Sequence, residues 1–268
     1  MESWIVSHEA LLRAAIFFGV LLALMFLETL VPRRALRLPR LMRWPNNLGL
    51  VIFDTLLLRI LFPTAAAGFA AWCTAGNIGL FHSIAWALGI EILLCLILLD
   101  LAIYTQHVVF HKVPWLWRLH KVHHADLDYD VTTGSRFHPI EILLSMLIKF
   151  AVIALLGVPV VAVILFEVIL NAMAMFNHSN IRLPDRLDSV LRKLLVTPDM
   201  HRVHHSRLYD EANRNFGFNL SLWDKLFRTY QEQPQQGQDG VVFGLKGYDD
   251  PKQVVSLLGL LLLPLRKT

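Results

Sequence analysis

Cysteine is scarce in this chain: there are two among 268 residues, and Cys73 and Cys95 both fall in apolar stretches. With no Cys-x-x-Cys pair, thiolate zinc sites, iron–sulfur ligation, haem attachment and redox dithiols are excluded, and disulfides are not expected. Charge is scarce as well. Charged residues make up 17% against 55% hydrophobic, and the mean hydropathy is +0.51, too apolar for an ordinary soluble domain. No Gly-x-Gly-x-x-Gly fingerprint of a dinucleotide site is present. A net charge of +4 and a pI near 9.2 raise the question of nucleic acid. The Arg and Lys residues flank apolar segments instead of forming a basic stripe, which argues against it. We read them as topology signals and anionic-lipid contacts. What is left is an integral membrane protein.

The apolar segments set the expected architecture. The first, from about Ala10 to Val31, exceeds the ~20 residues that cross a hydrocarbon core, and it lacks the basic region and cleavage site of a signal peptide. Arg33, Arg34, Arg37, Arg40 and Arg43 follow, which by the positive-inside rule puts them in the cytoplasm and the N-terminus outside. The second segment runs from about Leu48 to Trp72 and carries Asp54, Arg59 and Pro63. An exterior loop from Cys73 to Ser83, free of Lys and Arg, leads to the third, Ile84 to about Gln106. Apolar sequence resumes at Pro139 and continues to about Phe176, broken by the turn signal Gly157-Val158-Pro159. Lys149 in its first arm either snorkels, lines a cavity or marks a hairpin that only partly crosses.

Four to five transmembrane helices result, in an all-α bundle whose polar segments, His107–His138 and His178–Asp250, form a cytoplasmic helical cap. Gln231 to Gly240 reads as a polar loop without ordering contacts. Val254 to Leu265 is too short to span and reads as an interfacial or docking helix. The expected division is residues 1–83 for N-terminal transmembrane helices, 84–230 for a catalytic unit, and 231–268 for the loop and final helix.

Eight of the twelve histidines fall in three clusters. His107 and His111 stand at i and i+4; His120, His123 and His124, and again His201, His204 and His205, stand at i, i+3 and i+4. Each set projects from one side of a helix. A lone histidine on an apolar face is more often a satisfied core residue than a ligand, but three clusters with helix-facing spacing point to metal. Adjacent histidines diverge by about 100° on a helix, so His123/His124 and His204/His205 cannot serve one ion each as pairs, and two metals are expected. Imidazole without thiolate or carboxylate suits Zn, Cu, Fe or Ni. A catalytic zinc wants about three protein ligands and a structural one about four, fewer than this set offers.

His178, in Phe-Asn-His-Ser-Asn at the inner end of its segment, is expected as a ninth ligand. His138, in Arg-Phe-His-Pro-Ile-Glu, is a cap, an outer donor or a possible ligand. His8 and His82 belong to the exterior side. Asp100 and Tyr104 share a stripe with His107 and His111, and Glu167 and Asn171 repeat it towards His178. These either hold helices together or orient ligand histidines. Trp115, Trp117 and Trp223 read as interfacial anchors.

In their order these clusters, with Asn-Phe-Gly-Phe-Asn-Leu-Ser-Leu-Trp-Asp-Lys-Leu-Phe-Arg-Thr-Tyr after them, resemble the fatty acid hydroxylase/sterol desaturase superfamily over about residues 90 to 230. The resemblance implies a non-haem di-iron enzyme with O2 as co-substrate. His107, His111, His120, His123, His124, His178, His201, His204 and His205 would hold two Fe ions. The reaction would be hydroxylation or desaturation of a C–H bond in a lipid, whether sterol, fatty acyl, ether lipid or carotenoid. Electrons would come from a separate donor, cytochrome b5-like, ferredoxin or pterin, since no cytochrome b5-like domain precedes the motif. The membrane would be the inner one in a bacterium and the endoplasmic reticulum in a eukaryote. An ether-lipid (alkylglycerol-type) monooxygenase is one subtype. A metal-ion transporter would instead want ligands along a path at the bilayer midplane, and a bis-histidine haem protein facing single histidines.

Overall fold

The computed structural model describes residues 2–84 and 87–266, so that residues 1, 85, 86, 267 and 268 of the ranges expected above lie outside the described residues. Among the described residues the regular structure is helical, with isolated bridges such as Pro32 to Ile181 and no strand. A short α1 (Glu2–Ser7) leads into α2 (Glu9–Leu30), followed by α3 (Arg40–Leu61), α4 (Ala65–Ala75), α5 (Leu88–Lys112) and α6 (Pro114–His124). The hairpin of α7 (Pro139–Leu156) and α8 (Val160–Asn177) comes next, then the short α9 (Asp185–Leu191), α10 (Pro198–His204), α11 (Tyr209–Ala212) and α12 (Leu222–Leu226). The chain ends with α13 (Gly237–Gly240), α14 (Pro251–Val254) and α15 (Leu257–Leu262).

Five helical stretches are long and apolar enough to cross a membrane: Glu9–Leu30, Arg40–Ser83, Leu88–Lys112, Pro139–Leu156 and Val160–Asn177. The chain is an integral membrane protein. The second stretch departs from the expected Leu48–Trp72. Helix begins at Arg40, because Arg43 and Asn47 have buried partners that let polar residues join it, and it breaks at Phe62 beside Pro63, which cannot continue the ladder. At the α5–α6 corner Val113 is extended (φ −94°, ψ 117°), as the residue before a proline must be, and Pro114 opens α6. Gly157 closes α7 in the left-handed region (φ +74°). A Cβ there would meet the His82 ring and the Ile78 carbonyl, so glycine is required on both counts. The apolar core lies where α4, α5, α7 and α8 meet, around Cys95, Leu99, Ile153, Ala162 and Phe166.

Several polar residues read from the sequence as surface or lipid groups are interior. Arg43 is fully buried, donating to Asp126 at 2.7 and 2.8 Å and to Asp130 at 2.5 Å. Arg33 pairs with Asp199 and Asp239, Arg34 stands 5.0 Å above the Phe243 ring, and Arg40 stacks on Trp44. These arginines serve the cap before any lipid. Lys149 is neutralised by Glu167, which also meets Arg13 at 2.8 Å. The Gln231–Gly240 segment, expected as a loose loop, is tied down. The backbone N–H of Gln235 donates to Glu211, Gln231 pairs with Asn215, and Gln238 donates to the Asp199 carbonyl. The last apolar stretch forms two short helices instead of one, and Val254, Leu260 and Leu263 bury against Leu50 of α3 and Val122 of α6.

Candidate metal centre

The nine histidines expected as ligands come from four places: the last turns of α5, the whole inner face of α6, the C-cap of α8, and α10 with its cap. The structure gathers them into two groups. His107, His111, His120, His124 and His204 form one, His123, His178, His201 and His205 the other, and within each group one nitrogen per ring lies within 4.8 Å of all the rest. The adjacent pairs are divided between the groups as the helical twist demands. All nine are buried except His111, which is half-buried.

The ring nitrogens have distinct surroundings. His107 Nδ1 donates to the Phe216 carbonyl (2.8 Å), His204 Nδ1 to the Arg214 carbonyl (2.8 Å) and His178 Nδ1 to the Ala174 carbonyl (2.7 Å). His120 Nδ1 donates to Glu141 Oε1 at 2.6 Å. A carbonyl can only accept, so the proton of His107, His204 and His178 is fixed on Nδ1, which leaves Nε2 of these three rings as a bare lone pair. His107 Nε2 nevertheless lies 3.1 Å from His120 Nε2 and 3.0 Å from His204 Nε2. Between His107 and His204, both protonated on Nδ1, two lone pairs at that separation repel and no hydrogen bond can relieve them. His178 Nε2 sits 3.0 to 3.1 Å from Nε2 of His123, His201 and His205 and can accept from one of them at most. The Nε2 atoms of His111 and His124 are buried with no partner at all. A cation in each group satisfies every one of these atoms, so the donor set fits a pair of metal ions.

Protonation offers no escape. Burial pushes His120 and His178 down to about 3, and burial with neighbouring imidazoles holds His123, His124 and His205 well below the usual range. The rings are neutral near pH 7, the state in which imidazole binds metal.

His138 lies outside both groups. It caps α7, its Nδ1 accepting from the Ile140 N–H (3.2 Å) and its Nε2 donating to the Leu261 carbonyl (3.2 Å), which leaves no lone pair for an ion. Asp100 and Tyr104 neither orient a histidine nor join two spans. Asp100 accepts from the backbone N–H groups of Asn219 and Leu220 and from Trp223 Nε1 (2.8 Å), and Tyr104 bonds Thr229. Both fasten the segment after α11 to α5. Trp223 is thereby a structural donor, and Trp117 packs 4.9 Å from His111 and 5.4 Å from His124; of the three expected anchors only Trp115 is largely exposed. Asn171 is exposed.

Sequence reasoning passed over two supports. Glu141, at the end of Arg-Phe-His-Pro-Ile-Glu, is one. The other is Asp224, whose carboxylate takes the N–H groups of Phe216 and Gly217 at 2.8 Å each and so fixes the carbonyl that receives His107. Burial pushes Asp224 up to about 6 against the hydrogen bonds it accepts. The signal for Glu141 was its place two residues after a proline that opens a helix; Asp224 carried none beyond its motif.

Two groups of convergent imidazoles at the ends of apolar helices define a histidine-rich membrane protein with a candidate metal site. Comparison gives the family: a fatty acid hydroxylase family model matches residues 92–229, a range that contains all nine histidines, and the chain belongs to that family. It is 29% identical over 150 residues to an ornithine lipid hydroxylase of Rhizobium tropici, covering 56% of this chain and 44% of that one. It is 30% identical over 149 residues to the human alkylglycerol monooxygenase (54% and 31%) and 28% identical over 145 residues to the rat cholesterol 25-hydroxylase (54% and 48%). The matched part thus spans a third to a half of the length of these relatives. No solved structure matches.

Proposed function

We propose that the chain is an O2-dependent membrane oxygenase that hydroxylates a C–H bond of a lipid, with one iron ion in each histidine group. The lone-pair geometry carries this reading. Nine imidazoles, four with Nδ1 hydrogen-bonded, converge as two groups, and a cation in each would satisfy their facing nitrogens, which supports this reading. When bound, a reduced iron pair supplies activation of O2 towards an unactivated C–H bond, chemistry that side chains alone lack.

The chain's own residues hold the ions through Nε2 and orient the rings through Phe216, Glu141, Arg214 and Ala174. They exclude water by burying the centre beneath α6 and α10. Hydroxylation is favoured over desaturation because the named relatives are hydroxylases and monooxygenases. The human relative makes an ether lipid one candidate substrate, with a fatty acyl chain or a sterol as others. The histidines cluster at the ends of α5 and α8, on the side to which Arg33 to Arg43 belong. We place that side in the cytoplasm, where a separate electron donor, cytochrome b5-like, ferredoxin or pterin, reaches the cap while lipid enters from the bilayer.

The test is metal analysis of detergent-purified protein together with 18O2 labelling of a lipid mixture under reducing conditions. About two irons per chain, and 18O in a lipid product that disappears in His201→Ala, are expected. Iron at about two per chain without label in any lipid would refute the oxygenase reading; haem or no transition metal would refute the centre itself.

A further inference from the structure

The two histidine groups are not equally prepared for an ion. Among the described residues, three of the five rings in the His107 group have Nδ1 fixed by an acceptor: His107 by Phe216, His120 by Glu141 and His204 by Arg214. In the His178 group only His178 is so fixed, while Nδ1 of His123 and of His201 is buried without a partner. Those two rings are placed by packing alone, His123 lying on Phe137 at 4.5 Å and 11°. A ring held by a hydrogen bond to its far nitrogen needs no reordering on binding and is a stronger donor.

Glu141 separates the groups further, since it is the one carboxylate among the described residues hydrogen-bonded to a histidine of either group. Its other oxygen, Oε2, is buried with no partner, so His120 is the sole hydrogen-bond partner of a buried acid. The sequence places it there by a simple device. His138 caps α7, Pro139 opens it, and Glu141 falls at the third helical position, where the exposed N–H groups of a helix start favour negative charge. Its side chain reaches across to α6.

We propose that Glu141 is a positioning residue that makes the two metal sites inequivalent, so that the His107 group binds its ion more tightly than the His178 group. This rests on the reading that both groups hold metal, but not on the reaction they carry out. A carboxyl group held 2.6 Å from His120 Nδ1 orients that ring and polarises it towards metal, and among the described residues no carboxyl group does this in the other group.

The experiment titrates the metal-free protein in detergent with Co(II), whose visible absorption reports each site. Two backgrounds separate the groups: His123→Ala, which leaves the His107 group complete, and His120→Ala, which leaves the His178 group complete and removes the ring that Glu141 touches. Outer partners of this kind are worth ~10- to 100-fold in affinity. Glu141→Gln, which keeps the shape but replaces the carboxyl group by an amide, should weaken Co(II) about ten-fold or more in the His123→Ala background and leave it unchanged in the His120→Ala background. Glu141→Asp, which restores the carboxyl group, should recover part of the loss. Equal weakening in both backgrounds would mean that Glu141 merely supports the fold, and no weakening in either would mean that it does not act on His120; each result overturns the proposal. Absence of Co(II) binding in the otherwise unaltered protein would instead remove the metal reading itself.

Discussion

Arg43→Met is the substitution whose effect the structure fixes most closely. The guanidinium is fully buried, gripping Asp126 through two nitrogens and Asp130 through a third. Asp126 follows His124 by two residues, and Asp130 accepts from Trp44 and Thr132. The cation therefore ties α3 to the segment running from the histidine-bearing end of α6 to His138. Removing one partner of a buried pair costs about 3–5 kcal/mol, because the remaining charges are stranded. At ~2–4 °C per kcal/mol for a chain of this size, the melting temperature should fall by about 10 °C, read from tryptophan fluorescence on heating in detergent. Arg136, 3.8 Å from Asp126, still balances that carboxylate, so the acid left stranded is Asp130. The double variant Arg43→Met/Asp130→Asn should therefore recover a large part of the loss, with a coupling of about 2 kcal/mol or more.

Acid tests the same network. Burial raises Asp126, but Arg43 and Arg136, with hydrogen bonds from Arg43 and Thr133, more than offset it and hold the carboxyl well below its usual range. Its contribution is thus fully present above the ordinary carboxylate value near ~4 and is lost as pH falls below it. In Arg43→Met that acid-side loss should shrink. A single variant melting within about 2 °C of the parent, or a double variant no better than the single, would refute the argument.

Other outcomes follow from the same geometry. His204→Ala and His205→Ala differ by one position yet should each remove a different ion, so single variants should retain about one metal per chain and the double variant none, by elemental analysis. Because burial depresses the site histidines, to about 3 for His120 and His178, unfolded chains bind protons that the folded chain does not. Stability of the metal-free protein should fall steadily as pH drops from ~6.5, by thermal melts across that range. Asp100→Leu strands three donors at ~1–3 kcal/mol each and should loosen the Phe216 support. Faster chelator release of metal than from the parent is expected, and unchanged release would count against it. Lys149→Met should cost less than Glu167→Leu in thermal melts, since Glu167 keeps Arg13 in the first case, whereas in the second the half-buried Lys149 loses its partner and Arg13 keeps only Glu9.

The spans and the histidine clusters were legible because each rests on a local rule. An apolar run of sufficient length must cross or bury itself, and i, i+3, i+4 spacing must share a helix side. Even the division of His123 from His124 follows from the twist of one helix. What the sequence hid is non-local. Arg43 reads as one of five topology-setting arginines until its partners, more than eighty positions on, are brought beside it. Lys149 is unexplained until Glu167 returns along α8. Gln231 to Gly240 has the composition of a loose loop, yet Asn215, Glu211 and Asp199 supply the acceptors and donors that order it. His138 shows the same limit at close range: its motif allowed cap or ligand, and only the Leu261 carbonyl, from the end of the chain, takes up its last nitrogen. The polar residues hardest to read were thus those whose partners arrive from elsewhere in the fold. They form the frame around the histidines, so the chemistry of this chain is written locally while the rigidity that makes nine imidazoles converge is written at long range.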